Sequence, residues 1–125
     1  MEEIEVNKMD SILTSIKKML GITEDYEHFD SDLIMHINSV FMVLNQLGVG
    51  PEPGFRIADK EAVWSDYISD EENLDSVKSF MHLKVKLLFD PPASSAIIES
   101  MNRQISEFEW RLMVEADKCG EEDDE

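Results

Sequence analysis

The sequence predicts an all-α protein, a compact bundle of about four to five helices with an irregular Gly/Pro-rich loop in the middle. Three observations carry that expectation. Apolar residues recur at three- and four-residue spacing along most of the chain. Glycines and prolines stand where those periodic segments end. A hydrophobic content of 42%, with six Phe, two Trp and two Tyr in 125 residues, suffices for one globular core and argues against wholesale disorder.

Each element has its own signature. Over residues 9–20, Met9, Ile12, Leu13, Ile16, Met19 and Leu20 share one stripe, with Asp10, Thr14, Lys17 and Lys18 outward and Gly21 as the stop. The loop TEDYEHFD leads to Asp30 or Ser31 as N-cap of a second helix that ends at Gly48. Leu33, Ile37, Val40, Phe41, Leu44 and Leu47 form its core face. In GVGPEPGF, three Gly and two Pro within eight residues forbid regular structure. FRIADKEAVWSDYIS reads as a short extended piece around residues 55–57, then a helix of one or two turns around 62–68. A fourth helix runs from about residue 72 to 89, its start charged by Asp70, Glu71 and Glu72, and Asp90-Pro91-Pro92 closes it. Its apolar surface forms two arcs, Leu74, Val77, Met81, Val85, Leu88 and Phe89, then Phe80, Leu83 and Leu87, leaving only Asp75, Ser79, His82 and Lys86 as a polar sector. That suits the central helix of a bundle. Ser94 or Ser95 caps the last helix, whose core stripe is Ile97, Ile98, Met101, Ile105, Phe108 and Leu112 and which runs to about Glu115. The chain thus divides into one helical domain, residues 1–114, and an acidic tail, residues 115–125, that reads as disordered.

Charge distribution is the most informative functional signal. The net charge is −17, from 28 acids against 11 bases, yet residues 33–51 carry no formal charge. The face of the second helix opposite its core stripe shows Met35, Asn38, Ser39, Met42 and Gln46 where acids are expected. A membrane span would need about 20 apolar residues, and His36, Asn38, Ser39, Asn45 and Gln46 make insertion too costly. A helix that buries one face and keeps charge off the other is usually covered on both sides, and in so small a protein that points to a neighbouring subunit covering part of it. In the last helix Trp110 falls opposite the core stripe, beside Arg103 and Glu107, with Met113 and Val114 flanking it. The subunit-interface candidates are therefore Met35, Asn38, Met42, Gln46, Trp110 and Met113. Loop candidates for contact with a larger partner are Pro51, Glu52, Pro53, Phe55 and Trp64.

Chemistry is sparse. His28, His36 and His82 lack partners at metal-ligand spacing, and neither HExxH nor CxxC occurs. His28 reads as a loop imidazole among acids, His36 as a helix-edge residue and His82 as solvated. Cys119 lies near acids that would raise its pKa, which disfavours a nucleophile, and a lone cysteine fits a reducing compartment. GVGPEPG lacks a following GK[ST] and carries Glu52, so it is unsuited to phosphate. The expectation is no enzyme, no cofactor and no metal. The acid excess argues against gripping phosphate backbones, which requires Lys and Arg. The segment MEEIEVNKMD has no apolar stretch of the kind a signal peptide needs, which points to the cytoplasm as the place of synthesis.

The stretches INSVFMVLNQLGVGPEPGF, WSDYI and above all VKSFMHLKVKLLFDPPASSAIIESMNRQISEFEWRL resemble the small head–tail connector (adaptor) proteins of long-tailed bacteriophages, over about residues 10–114. The resemblance implies a compact helical protomer in the virion at the portal vertex. About twelve copies would form a ring between the portal protein and the tail-side connector or tail protein, extending the DNA channel without sequence-specific binding. The rival reading is an acidic phage-encoded regulator or DNA-mimic decoy. Mimicry needs carboxylates in a duplex-like array, whereas here one long helix has none at its centre and the densest acidic run is terminal.

Overall fold

The computed structural model describes residues 11–68 and 71–123, the side chains of 71–72 and 118–123 excepted. Among the described residues five helices follow in order: α1 (Ile12–Met19), α2 (Asp30–Gln46), α3 (Trp64–Tyr67), α4 (Glu71–Phe89) and α5 (Ser95–Asp123). Among the described residues no strand occurs; the nearest approach is a backbone bridge between Ser11 and Val63. Met9, Asp10, Asp70 and the side chain of Cys119, all read from the sequence, lie outside the described residues.

Ser11 sets the start of α1 twice over. Its Oγ accepts from the Thr14 amide and donates to the Lys60 carbonyl at 2.7 Å, tying the helix to the distant 60–62 segment. Ile12, Leu13 and Ile16 are buried as the stripe requires, whereas Met19 is exposed. Both α1 and α2 stop on a glycine. The amides of Gly21 and Ile22 donate to the carbonyls of Lys18 and Lys17, and those of Gly48 and Val49 to Asn45 and Leu44. Gly21 and Gly48 have φ of 81° and 88°, values that L side chains rarely adopt.

Lys17 corrects the expectation of an outward lysine. It is buried, its Nζ 2.8 Å from Asp30 Oδ1 and 3.0 Å from the Glu24 carbonyl, so one ammonium pins the α1–α2 loop to α1. The expected caps, Asp30 and Ser31, both fall inside α2, which starts at Asp30. Asp30 is engaged with Lys17, the N-cap is Phe29 without a side-chain bond, and Asp30 and Asp32 instead place negative charge in the first turn.

The core joins Leu33, Ile37, Val40, Phe41 and Leu44 of α2 to Ile12, Leu13 and Ile16 of α1, Val77, Phe80, Met81 and Val85 of α4, and Ile105 and Leu112 of α5. Helix α4 packs on both α2 and α5 and also on α1, so it is the central helix its two apolar arcs announce. Leu88 and Ile97, assigned to core stripes, are exposed at the ends of their helices, and Phe108 is half-buried. The backbone of α5 continues as helix to Asp123, past the end expected near Glu115.

His82 is half-buried rather than solvated. Burial lowers its pKa from 6.5, the Lys86 charge adds to that, and a hydrogen bond to the Met19 backbone opposes both. The unfolded chain therefore binds a proton more readily than the folded one, and this contribution to stability is full above pH 6.5 and lost as pH falls. Chemical denaturation between pH 7.5 and about 5 should show a smaller loss in His82→Gln than in the wild type. Equal losses would discount His82 as the cause.

Candidate interaction surface

The uncharged face of α2 is exposed where the sequence leaves acids out. Met35 and Met42 are 62% and 64% exposed, with Ser39, Asn45 and Gln46 exposed beside them. Asn38 is different. Its Oδ1 accepts from the Ile57 amide at 2.8 Å and its Nδ2 donates to the Ile57 carbonyl at 3.0 Å. Both polar groups of its amide are thus engaged in holding the loop, and Asn38 is half-buried. With Ile57 buried in the core, that loop is clamped alongside α2 at its outgoing end.

Aromatic packing fixes the rest of the loop. The Phe55 ring lies edge-on to Phe41, with centroids 5.0 Å apart, and 5.2 Å from that of Tyr67. Tyr67 donates its hydroxyl to the Val49 carbonyl at 3.3 Å, and burial raises its pKa far above the usual phenol value. Gly50 has φ 88° and presses on this ring; a Cβ there would sit 2.5 Å from Tyr67 Cε1. Alanine at position 50 would clash with it as well as strain the backbone.

Between the α2 face and the loop runs a groove of about 480 Å³, lined by Met35, Met42, Asn45, Pro53, Phe55 and Arg56 among others. Arg56 is its only charged lining residue, and no ion pair engages it among the described residues. The sequence pattern does not single out Arg56. The usable signal is that it is the only base between Lys18 and Lys60.

Trp110 and Met113 of α5 are 61% and 43% exposed. They point away from the side on which Met101, Ile105 and Leu112 meet the core. Neighbouring Arg111 and Glu107 form an ion pair across one turn. Helices α2 and α5 each pack on α4, and the turn that ends α2 comes close to α5, where a Cβ at Gly48 would lie 3.3 Å from that of Ala116. A second groove of about 450 Å³ separates the Gly48–Pro51 turn from the Leu112 and Ala116 side of α5. Pro51 and Tyr67 also line it.

Of the loop candidates, Glu52 and Pro53 are exposed, while Pro51 and Phe55 are half-buried. Trp64 belongs elsewhere. It is fully buried, and its Nε1–H donates to Ser15 Oγ at 2.8 Å while Lys78 stands over the ring. A single buried turn such as α3 is too short for periodicity to reveal which side faces inward.

Among the described residues there is no group of three or more His, Cys, Asp or Glu able to hold a metal, and no helix long and apolar enough to cross a membrane. A family model described as "Phage connector protein" matches residues 12–119. No curated protein and no solved structure matches the chain.

Proposed function

The chain belongs to the phage connector protein family, and from that premise we propose that it closes into a ring between the portal and the tail, extending the DNA channel. The observation that carries the reading is two separate exposed apolar surfaces, Met35 and Met42 on α2 and Trp110 and Met113 on α5, in a chain of net charge −17. A closed ring repeats one heterologous contact, so each protomer needs two different adhesive surfaces. Exposed apolar side chains at these places meet that need; elsewhere the surface is rich in acids.

The charge suits the channel. An acidic wall repels phosphates and lets DNA slide, where a basic wall would hold it. Residues 115–125 contain seven acids and one base, so 21 acids and 10 bases remain without them, a net charge of −11. The repulsion is therefore a property of the helical body as well as of its end.

Native mass spectrometry of the full chain mixed with the portal protein of the same phage tests the proposal. The expected result is a ring whose copy number follows the portal's, about twelve. Persistent absence of any higher-order complex would defeat it. Residues 118–125 are proposed to contribute charge and no packing, since acids at a helix C-terminus oppose the dipole. Their deletion should leave the thermal midpoint nearly unchanged; a marked drop would show that they dock.

A further inference from the structure

Resting on the ring reading, we infer that the groove between α2 and the 53–56 loop receives the Trp110 face of α5 from a second copy of this chain. The groove asks for a particular occupant. Its walls are thioether, amide, proline and phenyl groups, which favour an apolar insert, and Met side chains adapt to the shape of what enters. Its one charge, the guanidinium of Arg56, has no ion-pair partner within the protomer among the described residues. An occupant should therefore bring an aromatic ring and a carboxylate together. Arginine is well suited to both, stacking on indole and pairing with carboxylate.

The Trp110 face of α5 has that composition. Trp110 and Met113 supply the exposed apolar surface. Asp117, seven residues beyond Trp110, returns to within about 20° of it around the helix and is exposed, as is Arg103 seven residues before it, so the carboxylate belongs to the C-terminal half of this face. No ion pair engages Asp117 among the described residues. Within one protomer the groove and this face leave each other uncovered, since Met42 and Trp110 are 64% and 61% exposed. Joined between protomers they make a head-to-tail contact, leaving each copy one groove and one Trp110 face for its two neighbours.

Cysteine cross-linking of the full chain reads the pairing directly. In a Cys119→Ser background, the single variants Met42→Cys and Met113→Cys should each give little disulfide dimer under mild oxidation. Their equimolar mixture should give the heterodimer. One chain carrying both substitutions should give a ladder of higher species. The runs are made with the portal protein present, and native mass spectrometry of the unsubstituted chain runs in parallel. Arg56→Glu should weaken self-association at least tenfold without lowering the thermal midpoint, and adding Asp117→Lys should restore most of it. A ring that forms while the mixture gives no heterodimer would overturn the pairing and leave the ring reading standing. Dimers as abundant in either single variant as in the mixture would show a symmetric contact instead and overturn it too. Absence of any assembly would remove both.

Discussion

Trp64→Ala should be the most damaging single truncation in the protomer, lowering its stability by about 3–5 kcal/mol, the usual cost of removing a buried aromatic ring. Trp64 is fully enclosed, its indole faces Phe41 at 6.3 Å between centroids, and it is the largest wholly buried side chain. Truncation would also take the indole N–H away from Ser15 Oγ and leave Lys78 without the ring beneath its ammonium. The thermal midpoint should fall by on the order of 15 °C in a domain of this size. Trp110→Ala, at an exposed site, should cost the protomer less than about 1 kcal/mol and act on assembly, where an anchoring aromatic contributes about 2 kcal/mol or more. Thermal melts of the two variants, paired with an assembly assay, separate these outcomes. A midpoint for Trp64→Ala close to that of the wild type would remove it from the core.

That contrast between two tryptophans marks the boundary of what can be read from sequence. Trp110 sits in a long periodic helix, where the angular position of each residue is set by 3.6-residue geometry, so its outward place is legible. Trp64 sits in a four-residue helix, where no period repeats. The glycine stops of α1 and α2 were legible because a positive φ is a local demand that few residues meet. Lys17, Asn38 and Arg56 were not, for one shared reason. Each takes its meaning from a partner remote in sequence or from a groove built by two elements: Asp30 for Lys17, the Ile57 backbone for Asn38, the α2 face for Arg56. On a helical wheel Asn38 and Met35 look alike, but the amide serves the loop and the thioether is exposed. The uncharged face itself was visible at once, because absence of acid is conspicuous in so acidic a chain.

The Lys17–Asp30 pair should show a marked asymmetry on mutation. Asp30→Ala leaves the Lys17 ammonium with only the Glu24 carbonyl, in a position where its side chain is 3% exposed. Breaking a buried pair from one side costs about 3–5 kcal/mol, because the remaining charge is desolvated without compensation. Lys17→Met removes the buried charge itself and keeps an unbranched apolar side chain in its place. The orphaned Asp30 side chain is 23% exposed and can turn toward water. Lys17→Met should therefore be the milder change, and Asp30→Ala combined with it should be no worse than Asp30→Ala alone. The order expected in urea melts is wild type, then Lys17→Met, then Asp30→Ala as the least stable. Were the α1–α2 loop held by its apolar contacts alone, both single variants would stay within about 0.5 kcal/mol of the wild type, as substitutions away from buried networks do. A deficit confined to Asp30→Ala would place the energetic weight on the unpaired lysine, and hence on desolvation more than on attraction between the two charges.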